Sequence, residues 1–549
     1  MKKIVLFVSF FNLIFIAQAQ EKYWVYFTDK PTISNEIIKE NFTQEGIERR
    51  EFFNIPFDVK DIPVNKNYLQ KLKSIGGVEQ KGTSKWFNAA IFTVEDSEKL
   101  NQIESFEFVK RVEKVSSLKS LKSTGNEKLK ADFSQNQISN IAQEFYGEAY
   151  DQTNLINLIP LHSEGFLGNG IKIGVFDAGF FGADTLNCFK KLRDDNRILG
   201  TYDLVDSDNA VYDKHTHGTY VLSCISAFQE NLLVGTAPEA SVYLFRTENG
   251  ASETLIEEYN WVKAAEMADS LGIHIINSSL GYTFFDDSND NHTYDDMDGN
   301  TTIITRGADI AASKGILVVN SAGNSGTQGW RYIGAPADGD SVFSIGAINT
   351  DGEVADFSSY GPTVDGRIKP NICGVGWGTA VCSFDNKVAF LNGTSFSSPL
   401  TAGAMASLWS KFPLANNIEL MRYVEKSADR YLNPDDRCGY GIPDFGEAST
   451  ALSSVYPSFE SGQLTVYPNP SEGELNFGFV ADTQVTGSLE MFDLMGRLVY
   501  SATVNANQGT NYLKIENLGL NAGLYQVRLN TGKKSYQKKV LIQKNNLTE

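Results

Sequence analysis

The sequence predicts an α/β protein built on a doubly wound parallel sheet, preceded by a small α+β module and followed by a small all-β sandwich. Three observations support this. Between residues 143 and 455, short β-rich runs alternate with helical segments, as in parallel sheets. Residues 20–115 mix helical and strand-like stretches, and residues 461–549 contain short alternating segments separated by turn signals.

The first 19 residues have the pattern of a secretory signal peptide. Lys2 and Lys3 precede an apolar run over residues 4–16, and Ala17 and Ala19 form a small-x-small cleavage site. The alternative is a membrane anchor, but the run is shorter than the roughly 20 residues that a span needs. We expect cleavage after Ala19 and export.

The net charge and the cysteine content indicate which partners and which cysteine bonds to expect. The formal charge of −19 argues against nucleic acid, because phosphate binding needs clustered Lys and Arg. The five cysteines show no metal-type C-x-x-C spacing. Cys373 and Cys382 are a candidate pair in an oxidising compartment. Because small buried residues are the plainer interpretation, no disulfide is predicted.

Within residues 20–115 the expected order is strand 23–27, helix 34–50, helix 67–76, strand 86–94, helix 98–103 and strand 106–115. Residues 116–142 are rich in Ser, Lys, Asn and Gln and predict an exposed linker.

Within residues 143–455 the expected strands are 171–176, 241–245, 273–279, 316–320 and 342–346, and the expected helices are 254–271 and 305–313. Asp177 and Asn324 each come just after one of these strands. Active residues of such sheets lie at the carboxyl ends of the strands, so these two side chains are candidates for the site.

In residues 461–549 we expect strands within 464–467, 474–479, 487–492, 498–503, 512–515 and 523–530, followed by a basic end.

A serine nucleophile is indicated by residues 391–399, Leu-Asn-Gly-Thr-Ser-Phe-Ser-Ser-Pro, which precede an apolar segment. Ser395 should therefore lie at a helix N-terminus, where free N–H groups favour negative charge. The alternative is a plain helix cap.

A candidate base is His217, which precedes Gly-Thr and another apolar segment that is expected to be a helix. The alternative for His215 and His217 is a metal pair beside Asp213. Asp177 is either the orienting acid or a turn cap.

The order Asp177, His217, Ser395 is the order of subtilisin. Residues 175–179, 217–221 and 393–399 resemble the aspartate, histidine and serine motifs of the subtilases, and residues 145–453 as a whole resemble that family. The resemblance implies a subtilisin-like serine endopeptidase that hydrolyses polypeptides and requires no cofactor for catalysis.

Further residues follow from this resemblance. Residues 321–324 resemble the oxyanion motif, so Asn324 would stabilise the oxyanion; the alternative is a turn residue. Ser279, Leu280 and Gly281 resemble the segment that pairs with the substrate backbone. The motifs depart from the common pattern at residues 178–180 and after Val221, which leaves the pocket shape open.

An acidic stretch, residues 286–299, carries six aspartates. Subtilases often bind structural Ca²⁺, and carboxylates suit that ion. The spacing is not that of an EF-hand, and we favour a solvated acidic loop over a structural calcium site.

The segments on either side of the peptidase-like region resemble a propeptide and a sorting domain. Residues 20–115 resemble a subtilase propeptide, which would inhibit the enzyme until cleavage within residues 116–142. Residues 466–470, 492–497 and 520–525 resemble the C-terminal sorting domain of the type IX secretion system. The protein would then bind that machinery and be secreted or attached to the cell surface.

Two other hypotheses for the function stay open. One is a catalytically silent protein that keeps the scaffold, and the other is a protease of narrow specificity that processes exported proteins.

Overall fold

The computed structural model describes residues 21–116, 141–456 and 462–543, apart from 468, 472, 482, 507, 508, 516, 517 and 533. The predicted signal peptide and nearly all of the predicted linker lie outside these residues. By their contacts, residues up to 32 group with 62–122, and residues 33–61 group with 123–549; we call these the first and second units.

Residues 21–116 contain β1 (Glu21–Phe27), α1 (Asn35–Lys39), α2 (Gln44–Phe52), a 3-10 turn (Val59–Asp61), α3 (Lys66–Lys73), β2 (Val78–Ser84), β3 (Ala89–Val94), α4 (Ser97–Glu104) and β4 (Val109–Ser116).

The first unit is a four-stranded antiparallel sheet in the order β2-β3-β1-β4. Helices α3 and α4 pack against this sheet. Val25, Phe92, Leu72 and Ile103 are buried at its core. The predicted α+β character is confirmed, but the segment expected as one helix over 34–50 forms α1 and α2, and both belong to the second unit.

Residues 141–456 contain α5 (Ile141–Tyr146), α6 (Tyr150–Leu155), α7 (Ile159–Ser163), β5 (Lys172–Asp177), a 3-10 turn (Asn187–Phe189), α8 (Lys190–Asp194), β6 (Ile198–Asp203), α9 (His217–Ser226), β7 (Phe228–Gln229), β8 (Leu233–Val234), β9 (Ser241–Arg246), α10 (Ile256–Ser270), β10 (Ile275–Ser278), a 3-10 turn (Tyr294–Asp296), α11 (Ile303–Ser313), β11 (Leu317–Ser321), β12 (Val342–Ile348), β13 (Ile372–Val375), β14 (Thr379–Cys382), β15 (Val388–Leu391), α12 (Thr394–Lys411), α13 (Asn417–Lys426) and α14 (Phe445–Ser453).

A seven-stranded parallel sheet in the order β13-β12-β11-β10-β5-β9-β6 organises the second unit. Its inner strands are apolar runs rather than alternating ones, since helices cover both faces of such a sheet. β11 and β12 are buried at every residue. The predicted doubly wound parallel sheet is confirmed, and β6 and β13 extend it at its two ends.

Helix α12 is the central helix of this unit. All of its residues are buried, and it contacts α9 and strands β10 to β13. Ala402, Gly403, Ala404 and Ala406 let neighbouring elements approach closely: a Cβ at Gly403 would lie 2.1 Å from the hydroxyl of Thr236. Its first turn is therefore fixed by the packing of the whole helix.

Residues 462–543 contain β16 (Leu464–Tyr467), β17 (Leu475–Ala481), β18 (Val485–Phe492), β19 (Leu498–Ala506), β20 (Gly509–Ile515), β21 (Gly523–Thr531) and β22 (Lys534–Ile542). They form a three-stranded sheet, β16-β17-β20, and a four-stranded sheet, β19-β18-β21-β22, around a core that includes Phe477, Leu489 and Val527. The predicted all-β character is confirmed. The stretch described above as a basic end forms a further strand, β22, which was not predicted.

Two cysteines far apart in sequence are bonded. Cys188 forms a disulfide with Cys382, while Cys224, Cys373 and Cys438 are free and buried. The candidate pairing of Cys373 with Cys382 was wrong, because Cys373 lies on β13 and packs with Ile348 and Cys438, whereas Cys382 ends β14. In the part of the chain that the structure covers, no helix is both long and apolar enough to cross a membrane.

Candidate active site

Strand β5 delivers Asp177 to the carboxyl edge of the sheet. β5 lies between β9 and β10, so the chain passes from one side of it to the other at this point, where ligands bind in open parallel sheets. The Asp177 side chain is fully buried. Its Oδ1 accepts a hydrogen bond from the Ala178 N–H at 2.8 Å. The carboxylate is thus held in place beside the crevice.

His217 is the first residue of α9, and its ring faces Asp177. Nδ1 lies 2.9 Å from both Oδ1 and Oδ2 of the carboxylate, and the His217 side chain is 28% exposed while that of Asp177 is 0% exposed. A Cβ at Gly218 would lie 2.4 Å from the Gly179 carbonyl oxygen, so only glycine lets α9 approach β5 this closely. The pair joins a buried acid to a partly accessible imidazole.

Ser395 is the second residue of α12, as expected for a serine at a helix N-terminus, and is 9% exposed. Gly393 precedes the helix at φ 152°, in a backbone region that favours glycine. Pro399 has no N–H to donate to the Ser395 carbonyl one turn earlier. The hydroxyl of Ser279 donates to that oxygen instead, at 2.9 Å.

Asn324 follows β11 and is bound to the same helix start. Its Oδ1 accepts from the Thr394 N–H at 2.9 Å and from the Thr394 hydroxyl at 3.0 Å. The Nδ2 group donates to no protein atom among the residues that the structure describes. The side chain is thus oriented through its oxygen, and its amide hydrogens stay available.

A cavity of about 150 Å³ lies at this edge of the sheet. It is lined by Ser279, Leu280, Gly281, Thr283, Ser321, Gly323, Asn324, Ser325, Trp330, Tyr332, Gly334, Ser359, Thr394 and Ser395. The Leu280 carbonyl accepts from Asn320 Nδ2 at 3.0 Å, which fixes the 279–281 segment beside the serine. The ring of Phe396 lies 6.0 Å from that of His217, centroid to centroid, so the histidine is near the same helix turn.

The sequence-predicted site residues therefore come together from four parts of the fold. Asp177 and His217 are in direct contact. Ser395 and Asn324 line one cavity with the segment 279–281. His215 accepts a hydrogen bond from the His217 N–H through Nδ1 at 3.2 Å, which differs from the arrangement of a metal pair.

Three glutamates beside the site were not singled out in the sequence. Burial raises the pKa of Glu248, and the charge of Asp177 raises it further. Burial and then the charges of Glu248 and Glu257 likewise raise the pKa of Glu253. Burial raises the pKa of Glu257 to about 8, with Glu248 adding to it. Four glutamates within eleven residues after β9 are a signal that could have indicated them.

The predicted acidic loop, residues 286–299, uses its carboxylates locally. Asp298 Oδ1 accepts from the N–H groups of Asn300 and Thr301, and Asp296 Oδ2 accepts from the Thr293 N–H. Across the described residues, no group of three or more His, Cys, Asp or Glu side chains converges as metal ligands would. These carboxylates therefore hold the backbone of their own loop.

Comparison with known families identifies three parts of the chain. Residues 168–441 match the family described as the subtilase family, peptidase S8. Residues 22–132 match the peptidase S8 propeptide domain of Bacteroidota, and residues 465–543 match a secretion system C-terminal sorting domain.

Known proteases are similar over the central part. A thermostable alkaline protease of Halalkalibacterium halodurans is 29% identical over 301 residues, which are 54% of this chain and 72% of the relative. Subtilisin DY of Bacillus licheniformis is 29% identical over 278 residues, 50% of this chain and 89% of the relative. A crystal structure of MycP1 with the N-terminal propeptide removed is 21% identical, covers 55% of this chain and 96% of its own, and has a TM-score of 0.43.

The fold and these matches define a serine-type endopeptidase with a subtilisin-like α/β domain. The peptidase domain belongs to the subtilase family, and the chain joins it to a peptidase S8 propeptide and to a sorting domain for export by type IX secretion. The expected family, fold, enzyme class and export route are confirmed.

Proposed function

We propose that Asp177, His217 and Ser395 are the catalytic triad of this peptidase. Ser395 Oγ attacks the carbonyl carbon of the scissile peptide bond while His217 accepts its proton, and His217 then donates that proton to the leaving amine. Asp177 fixes the imidazole tautomer and stabilises the imidazolium. Water then hydrolyses the acyl-enzyme by the same proton transfers. The observation that carries the proposal is the contact of His217 Nδ1 with both oxygens of the buried Asp177.

The oxyanion hole is proposed to consist of the Asn324 side-chain amide and the Ser395 N–H. The hydrogen bonds from Thr394 to Asn324 Oδ1 support this role, since they leave Nδ2 as the free donor on the cavity side. Each such donor contributes about 3 kcal/mol to the stabilisation of the transition state.

Ser279, Leu280 and Gly281 are proposed to bind the substrate as an added strand beside the cavity. Gly281 is exposed, and the Leu280 side chain is buried, so one face of this segment is open to an extended peptide. The cavity, with Trp330 and Tyr332 in its lining, would then accept one substrate side chain.

We assign the chain as follows: signal peptide 1–19, inhibitory propeptide 20–115, linker 116–142, peptidase 143–455 and sorting domain 461–549. The propeptide would inhibit the peptidase until the linker is cut, and the sorting domain would engage the secretion machinery and then be removed. The proposed triad needs no cofactor for catalysis.

Fluorophosphonate labelling of the mature protein tests the assignment, because the probe forms an adduct only with an activated serine. We expect one adduct, mapped by peptide mass spectrometry to Ser395, and none in the Ser395→Ala variant. Ser397→Ala, two residues further along α12, is the matched control and should label normally. A folded, propeptide-free protein that takes no label, or labels elsewhere, would contradict the triad.

A further inference from the structure

Residues 33–61 form a segment of the predicted propeptide that is compact with the peptidase domain; we call it the anchor segment. It lies where α10 ends and the chain turns into β10. The N–H and hydroxyl of Thr43 both donate to the Ser270 carbonyl, at 2.9 and 3.1 Å. Arg49 Nη1 donates to the Lys314 carbonyl at 2.5 Å, at the corresponding end of α11.

This contact is at the edge of the sheet opposite the active site. β10 begins at Ile275 and β11 at Leu317, shortly after the two carbonyls that the anchor segment binds. The triad aspartate and Asn324 lie at or beyond the other ends of parallel strands in the same sheet. A peptide in the catalytic cleft and the anchor segment therefore occupy different surfaces.

At two glycines the two backbones meet with no space for a side chain between them, and at a third glycine a side chain from the anchor segment fills the space. A Cβ at Gly46 of the anchor segment would lie 2.4 Å from the Ser270 carbonyl oxygen. On the peptidase side, a Cβ at Gly272 would lie 2.7 Å from the Glu45 carbonyl carbon, and one at Gly315 would lie 2.5 Å from Ile55 Cδ1. Such a fit is the packing of a protein interior.

A network of buried charges crosses the contact. Asp269 Oδ1 lies 2.7 Å from Arg49 Nη2, and its Oδ2 lies 2.5 Å from Arg50 Nη2. Arg50 also pairs with Asp61 at 2.8 Å, and Lys314 Nζ lies 3.3 Å from Asp61 Oδ2. These five side chains are at most 3% exposed.

Each side of the contact supplies ion-pair partners to the other, since Asp269 pairs with both arginines and Lys314 pairs with Asp61. The peptidase domain contributes Asp269 and Lys314, and the anchor segment contributes the two arginines and Asp61. Burial lowers the pKa of Arg49 to about 10, and Asp269 opposes that change, so the guanidinium is charged at neutral pH. Removing one partner of such a network leaves an uncompensated buried charge.

The contact also reaches the helix that carries the nucleophile. Phe53 packs on the main core, with its ring 6.1 Å from that of Trp409. Trp409 lies in the last turn of α12, whose second residue is Ser395.

We propose that the peptidase domain has a second propeptide-binding surface, at the amino edge of its sheet, which holds residues 33–61 after the linker has been cut. The surface is formed by Asp269, Ser270, Gly272, Lys314, Gly315 and Trp409, and its ligand is a helix with paired arginines followed by an aspartate. It retains the propeptide independently of the cleft. The inference rests on the proposed function, since it takes residues 20–115 as a propeptide that is severed in the linker.

The test uses the full chain with Ser395→Ala, which cannot process itself, and a site for a foreign protease placed within residues 117–140. After the cut, gel filtration and dilution measure whether the N-terminal fragment stays bound. We expect it to stay bound at neutral pH and moderate salt. Release of the fragment upon cutting would overturn the proposal.

Two variants of the anchor segment test whether the cut fragment is held by the proposed surface. Arg50→Met should raise the dissociation constant of the cut fragment at least about 100-fold. Lys39→Gln is the matched control, because Lys39 pairs with Glu51 in the same segment but both side chains are exposed, at 36% and 59%; its effect should stay within about threefold. Equal retention by Arg50→Met and the parent would contradict the proposed surface.

Hydrogen exchange on the cut parent chain gives a second reading that does not depend on whether Arg50→Met folds. Amides of residues 44–53 should stay protected after the cut, and rapid exchange there would overturn the proposal. Because every protein in this test lacks the Ser395 hydroxyl, its outcome is separate from that of the labelling experiment.

Discussion

The hydroxyl of Ser279 donates a hydrogen bond to the main-chain carbonyl of Ser395 at 2.9 Å, across 116 positions of sequence. Pro399 cannot satisfy that carbonyl from within the helix. Asn277 Nδ2 lies 3.2 Å from the same hydroxyl, and the Ser398 hydroxyl donates to Asn277 Oδ1 at 3.0 Å. The end of β10 is thus bonded to the first turn of α12, which joins the proposed substrate-binding segment to the proposed nucleophile.

Ser279→Ala should lower kcat about tenfold with a small loss of thermal stability. The Ser395 carbonyl would be left without its partner inside the protein, at a cost of about 1–3 kcal/mol. The kcat and KM for a peptide amide and the Tm measure the effect. Ser397→Ala is the control, because its hydroxyl donates only to the Thr394 carbonyl, at 3.1 Å. An unchanged kcat in Ser279→Ala would show that this bond does not position the serine.

Asn324→Asp and Asn324→Ala should separate two roles of this side chain. Both remove the amide donor, so both should lower kcat roughly 10²–10³-fold with little change in KM. Only Ala also removes the acceptor of the Thr394 N–H and hydroxyl, so only Ala should lower the Tm by several degrees. Steady-state kinetics and thermal unfolding check this. Near-native kcat in Asn324→Asp would exclude the oxyanion role.

Glu253→Gln should stabilise the protein at alkaline pH. Burial, then the charges of Glu248 and Glu257, raise the pKa of this carboxyl in the folded state. A raised carboxyl pKa means that the folded state binds more protons, so the free energy of unfolding falls as pH rises above the unfolded value of about 4.5. The variant should therefore gain on the order of 2 kcal/mol at pH 9 and almost nothing at pH 4.5.

Thermal unfolding of Glu253→Gln and the parent across this pH range measures the difference. The control is Glu230→Gln, at an exposed glutamate. A gain that does not depend on pH would assign the effect to packing and not to charge.

Peptides that differ only in charge near the cleft should be cleaved at different rates. Glu248 lies close enough to Asp177 for their charges to interact, and Glu253 and Glu257 interact in turn with Glu248. At pH 9, where Glu248 and Glu257 are ionised because their raised pKa values are about 7 and about 8, a Lys two to four residues before the scissile bond should therefore raise kcat/KM at least about tenfold over Glu at low salt. High salt and Glu248→Gln should both reduce the ratio, whereas Glu230→Gln should not. A ratio near one would indicate that the cluster does not face the substrate.

The sequence allowed the residues at the carboxyl ends of the strands to be singled out more readily than the outermost strands of the sheet. Asp177, His217 and Ser395 stand in short motifs whose spacing is readable without a structure. The edge strands β6 and β13 were missed because they lack the long apolar runs of the inner strands. β22 was missed because its outward-facing lysines conceal the alternation of Tyr536, Val540 and Ile542, which are buried.

Long-range pairings could not be predicted from periodicity. The helix expected over 34–50 was assigned to the N-terminal module, but Arg49 and Arg50 form ion pairs with Asp269, 220 and 219 positions away. The bond between Cys188 and Cys382 likewise joins residues 194 positions apart. Such partners are determined by the completed fold, and no local pattern specifies them.

The place of Ser395, the proposed nucleophile, on α12 makes its position depend on the rest of the peptidase domain. Because the helix is buried along its whole length against four strands of one sheet, Ser395 reaches its working position only when those strands have assembled. A chain in which those strands have not assembled would hold Ser395 away from His217 and Asn324. The proposed site can therefore act only once the peptidase domain has folded.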